Sequence, residues 1–205
     1  MGTGKNRMAG EPFLRLVNPM LVDLNGKIWE EWQDLALVLC MKAGGTDEYS
    51  TIGDVSDEVC GEERDRMLQE ARKNLEESCI LRKLGQAIAE MSRELSGEDE
   101  WDFDETVFGE ATVITTQDNF CGASAITLPS VQEQLRQRYG SYYIIPSSVH
   151  EVIVLPHHIG NGMGNEYLRS MIMDINISEV AVKDWLGDHA YICEDGVIRS
   201  AEVAG

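Results

Sequence analysis

Basic residues are scarce in this chain: its 205 residues carry 17 Lys and Arg against 36 Asp and Glu, a formal charge of −19. A surface this acidic repels phosphates, which argues against a direct nucleic-acid binder or a binder of anionic membranes. Cysteines stand at 40, 60, 79, 121 and 193, and none forms a CxxC pair. An odd set without paired spacing makes neither a disulfide framework nor a zinc knuckle, and reduced thiols fit a cytosolic protein. Long apolar runs are also missing. The longest, Leu35 to Met41, is too short to span a bilayer. The basic start Met1–Arg7 is followed by no apolar stretch, so it is not read as a secretory signal. Gly2 lacks the Ser or Thr four residues on that a myristoyl acceptor requires, since Asn6 stands there. The expectation is a cytoplasmic protein with no membrane attachment.

What is present is enough for a packed core. Hydrophobic residues make up 43% and charged residues 26%, near the globular average. Residues 1–12 read as a flexible tail. A lobe follows over 13–96. Phe13–Val17 reads as a strand closed by Asn18-Pro19, and Leu35–Met41 as a strand buried on both faces, a pattern that a short buried helix would share. After Gly44-Gly45, Tyr49–Ile52 reads as a returning strand. The period then becomes helical: Met67, Ala71 and Leu75 stripe a helix over 62–77. Ile80, Leu84, Ile88, Met91 and Leu95 stripe a second helix over 80–95, with Ser78-Cys79 as the joint of a helical hairpin.

From Glu94 to Glu110 there are eight acidic residues, and like charges this dense predict a solvated linker over 97–109. Trp101, Phe103 and Phe108 within it read as pins holding the loop down or as an acidic-aromatic docking segment. A C-terminal lobe over 110–205 alternates elements. Strands are expected at Ala111–Thr115, Ala123–Ile126, Tyr142–Ile145 (stopped by Pro146) and Glu151–Leu155. A helix opens at Pro129-Ser130 and closes at Gly140, and another carries Leu168, Met171, Ile172 and Ile175 after a flexible glycine loop at 160–164. Glu194-Asp195-Gly196 between apolar runs marks a closing hairpin. Together these patterns predict an α+β fold with a mixed or antiparallel sheet.

Several pieces of the C-terminal half carry a resemblance. They are Asn119-x-x-Gly122-Ala123, Leu128-Pro129-x-Val131, and Tyr143 through Val152 with its Pro146-Ser147-Ser148-x-His150-Glu151 core. Asp188-His189-Ala190-Tyr191 follows ahead of the closing hairpin. The chain resembles an uncharacterised bacterial family, the domain of unknown function numbered 5688, common in gut clostridia and their relatives. Leu16-Val17-Asn18 and Asp34–Val38 are similar to the family's earlier strands, and the helices over 62–95 match by position. The likeness runs from about residue 13 onward, against family members usually longer at the N-terminus. It implies a fold class and a cytoplasmic setting, and no activity. Asn119, Gly122, Pro146, Ser147, Ser148, His150 and Glu151 are its motif residues.

Four constellations bear on chemistry. In the first, Ser147 or Ser148 holds a turn while His150 hydrogen-bonds nearby backbone; alternatively, Ser148 and His150 line a ligand pocket or catalyse hydrolysis. No Gly-x-Ser-x-Gly elbow supports hydrolysis. In the second, Cys121 beside Gly122 could pair with His150, oriented by Asp118 or Asn119, as a nucleophilic dyad. In the third, His157, His158, Asp188 and His189 are residue types that bind divalent metals, although adjacent histidines on an extended segment point to opposite sides. In the fourth, Gly160-Asn161-Gly162-Met163-Gly164 lacks the Lys-Ser/Thr of a phosphate cradle and is followed by Glu166. Glu30, Glu31 and Asp34 read as solvated carboxylates with Trp29 and Trp32 packed beneath. No metal and no cofactor is expected. The function expected is a non-enzymatic binding or protein-interaction module, its partner a basic protein if it follows the charge. Two alternatives are kept: a Cys/His or Ser/His hydrolase using the 118–122 and 147–151 turns, and an acidic nucleic-acid mimic that inhibits a basic partner.

Overall fold

The computed structural model describes residues 10–42, 49–51, 61–86 and 109–203. It is α+β, and among the described residues every strand pair is antiparallel. The N-terminal sheet contains β1 (Glu11–Val17), β2 (Trp29–Trp32), β3 (Leu35–Lys42) and β4 (Tyr49–Thr51). β3 lies in its middle, with β1 along one edge and β2 and β4 along the other. Alternation along β3 explains its unbroken apolar run. Leu35, Leu37, Leu39 and Met41 enter the main core, while Ala36, Val38 and Cys40 join Val17 in a second cluster on the opposite face.

Helix α1 (Gly61–Ser78) buries Leu68, Ala71 and Leu75 on one stripe and packs along β1. Burying each leucine is worth roughly 1.5–3 kcal/mol. The helix covers the outer edge of β1, where the Asn74 side chain donates to the Pro12 carbonyl at 3.1 Å. An edge strand is thereby kept from pairing elsewhere, aided by the missing N–H of Pro12.

The second sheet has six strands in the order β10-β9-β7-β8-β6-β5. These are β5 (Cys79–Lys83), β6 (Thr112–Thr116), β7 (Tyr142–Ser148), β8 (Glu151–Pro156), β9 (Tyr191–Glu194) and β10 (Val197–Ser200). Helices α2 (Pro129–Tyr139), α3 (His157–Met163) and α4 (Asn165–Glu179) lie between these strands in the chain. One face of this sheet, with Ile114, Tyr142, Ile144, Val152 and Tyr191, shares the main core with the first sheet, α1 and α2. The other face, with Tyr143, Ile145 and Leu155, is covered by Leu168 and Ile172 of α4. Among the described residues, no helix is long and apolar enough to cross a membrane.

Five expectations are corrected. The second helix of the expected hairpin begins instead as strand β5, because Ile80 and Leu81 pair with Thr115 and Ile114 at the end of the second sheet. Leu84–Gln86 is helical, and residues 87–95 lie outside the described residues, as do 97–108 of the acidic run with Trp101, Phe103 and Phe108. β5 therefore belongs to the sheet formed by elements after residue 109. Ala123–Ile126 lies in a 3-10 helix (Gly122–Thr127) rather than a strand. Pro146 does not stop β7, which continues to Ser148 through a shift of register after Ile145. The expected glycine loop is helix α3, and Gly160 lies in it because a Cβ there would sit 2.4 Å from the Tyr143 ring. Trp29 is 41% exposed rather than packed beneath the carboxylates; Trp32 packs edge-on against Tyr191.

Candidate functional site

The turn after β6 and the turn between β7 and β8 meet. Gly122 approaches β6 so closely that a Cβ would lie 2.5 Å from Thr115 Cα and Thr116 N. Only glycine fits there, which gives the Asn-x-x-Gly motif its physical reason. Two residues before it take left-handed backbone, Asn119 (φ 54°) and Cys121 (φ 52°). Asparagine tolerates that region readily; cysteine adopts it at a cost. The strained residue is held from the neighbouring turn. The Cys121 backbone N–H donates to His150 Nδ1 at 3.3 Å, and Ala123 N–H donates to the Val149 carbonyl at 3.3 Å. Thr115 Oγ1 donates to the His150 carbonyl at 2.9 Å.

Each motif residue thus has a place. Ser148 Oγ accepts the backbone N–H of His150 at 3.1 Å, closing the β7–β8 turn. Ser147 is buried in β7 beside Pro146. Asn119 Oδ1 accepts from Arg82 of β5 at 3.0 Å. Burial raises the Glu151 carboxyl above its ordinary range, against the pull of Arg82. Burial also lowers His150 below the usual imidazole value, which favours the neutral ring, and Nδ1 accepts the Cys121 amide. The Cys121 thiol, 2% exposed, is pushed up to about 12 by burial. No described hydrogen bond joins that thiol, or Ser148 Oγ, to an imidazole.

A cleft of about 300 Å³ opens beside this junction. Its walls come from the start of β1 (Glu11–Leu14), the end of β3 (Lys42), the last turn of α1 (Asn74, Leu75, Ser78) and the 116–121 loop. Cys121 contributes to the lining. Phe13 and Phe120 meet with ring centroids 5.5 Å apart. Lys42 Nζ lies 2.7 Å from Asp118 Oδ2 and 5.0 Å from the centre of the Phe120 ring. Asp118 has a second task, for its Oδ1 accepts from Thr116 Oγ1 at 2.9 Å and from Phe120 N–H at 3.3 Å. Partial burial opposes ionisation of Asp118, but the bonds from Lys42 and Thr116 outweigh it and hold the carboxyl below its usual range. Nothing in the sequence placed Lys42 beside Asp118; residues 76 positions apart leave no local pattern.

The four metal-type residues are divided. His157 faces Glu194 at 3.6 Å and stacks on Tyr143, and His158 faces Glu110 at 3.9 Å. The two begin a helix rather than an extended segment. His189 lies between Asp34 (3.6 Å) and Asp188 (3.3 Å), and Arg169 binds Asp188. Among the described residues, no group of three or more His, Cys, Asp or Glu side chains is arranged to hold a metal ion.

A family model described as a family of unknown function, DUF5688, matches residues 22–194, a span that contains both turns. No curated protein and no solved structure matches the chain.

Proposed function

Since the chain belongs to the DUF5688 family, a membership that carries no assigned activity, we propose from the site itself that it is a non-enzymatic binding module of the cytoplasm. Its ligand site is the cleft beside Cys121. The observation that carries this reading is the bond from the Cys121 amide to His150 Nδ1. It commits the ring nitrogen a general base would use to holding backbone. The thiol supports the same reading: burial pushes it up to about 12, which keeps it a thiol rather than the nucleophilic thiolate at neutral pH. The cleft remains available for a ligand, with aromatic faces and charged groups at its rim.

Alkylation of the native protein with iodoacetamide at pH 8, followed by mass spectrometry, tests the reading. Cys121 is expected to react more slowly than the same cysteine in the urea-unfolded chain. Faster reaction than in the unfolded chain, lost in His150→Ala, would overturn it in favour of a Cys/His hydrolase.

A further inference from the structure

We propose that the cleft recognises a lysine side chain presented by a basic protein, and that Lys42 is an internal stand-in for it. The inference rests on the cleft being a binding site and names what it takes. The site already holds an ammonium in a defined setting: Lys42 Nζ sits on the Asp118 carboxylate at 2.7 Å and over the Phe120 face at 5.0 Å. That distance is within cation–π range, and Phe13 packs tilted against the same ring. Glu11 adds a second carboxylate to the lining. An anionic ligand would meet these carboxylates and the field of a chain with charge −19, whereas a basic partner is drawn in by it.

Asp118 divides its oxygens in a way that suits exchange. Oδ1 fixes the loop through Thr116 and Phe120, and Oδ2 faces the ammonium. A ligand lysine can therefore replace Lys42 on Oδ2 without disturbing the loop. The Lys42 side chain is 29% exposed, so the pair is open to solvent. A tethered competitor at high effective concentration weakens the apparent affinity for any outside ligand. Removing it must strengthen binding. That sign separates a stand-in from a ligand-contacting lysine, whose loss would weaken binding.

The test is an NMR titration of the full ¹⁵N-labelled chain with three probes: Nα-acetyl-lysine amide, Nα-acetyl-norleucine amide and Nα-acetyl-glutamate amide. The lysine probe is expected to shift the Phe13, Lys42 and Phe120 amides, with affinity falling as salt rises. Lys42→Met should tighten its binding about fivefold or more by removing the competitor. Asp118→Asn, which keeps a carbonyl oxygen for the loop, and Phe120→Leu should each weaken it. Stronger binding of the norleucine or glutamate probe in the cleft, or weaker lysine binding by Lys42→Met, would overturn the inference while leaving the cleft a binding site. No cleft shift from any probe, in the native chain or in Lys42→Met, would overturn both.

Discussion

The two ends of β3 attach the first sheet to the rest of the molecule by different means. At the Lys42 end, a half-exposed ion pair with Asp118 stands beside an open cleft. At the Asp34 end, the fully buried Tyr191 donates to Asp34 at 2.6 Å, His189 sits between Asp34 and Asp188, and Arg169 joins Asp188 to Glu202. Between them Arg15 of β1 binds Asp184 at 3.0 Å, both side chains largely buried. An exposed pair contributes little to stability, while a buried hydroxyl bonded to a carboxylate contributes more and is costly to break. One end is thus closed by a network. At the other, backbone packs closely at Gly122 and the ion pair is part-exposed.

The largest effect should come from Gly122→Ala. The added methyl meets Thr115 and Thr116 backbone at 2.5 Å, and overpacking of this kind costs about 3 kcal/mol. Urea unfolding should show it, with loss of the cleft resonances. A cost near zero would mean that the loop, and not the close approach, sets the geometry.

Tyr191→Phe should cost about 1.5–2 kcal/mol, by the same measurement, for loss of the bond to Asp34. Burial, and then the Asp34 carboxylate, raise the Tyr191 hydroxyl above its ordinary value. The unfolded chain therefore ionises this tyrosine first, and stability falls as pH rises beyond about 10. In Tyr191→Phe that alkaline loss should be smaller.

His150 works in the opposite direction at the cleft end. Burial lowers its value, so the unfolded chain takes up the proton first. Its contribution is complete above about pH 6.5 and declines as pH falls towards the folded-state value. Stability measured from pH 7 to pH 5 should show this slope, flattened in His150→Gln. The smallest effect is Lys42→Met, expected to cost less than about 1 kcal/mol. A larger cost would place a structural anchor at the cleft and remove the contrast between the two ends.

The sequence was legible where a local pattern and the final packing agree. The stripe of α1 follows from spacing, the two-sided burial of β3 fits its unbroken apolar run, and the Pro129-to-Gly140 helix follows from its end signals. β5 failed because Ile80 and Leu84 also satisfy a four-residue period, and its pairing with β6 is fixed by a strand more than thirty residues on. Gly160 read as a loop because the Tyr143 ring that selects glycine is invisible locally. For the site, the motif turns at 118–122 and 147–151 were readable as two separate turns, joined only in the hydrolase alternative, and they meet. Their role depends on which atom of His150 faces which atom of Cys121, which residue type does not encode. Lys42 with Asp118, Arg15 with Asp184 and Tyr191 with Asp34 are separated by 76 to 169 positions and leave no trace in spacing.

The protonation of His150 tests the central claim, that these turns are architectural, most directly. Side-chain ¹⁵N chemical shifts at pH 7 should show a neutral ring with an unprotonated Nδ1 acting as acceptor and the proton on Nε2. An imidazolium, with its proton on Nδ1 and a Cys121 thiolate beside it, would contradict the account.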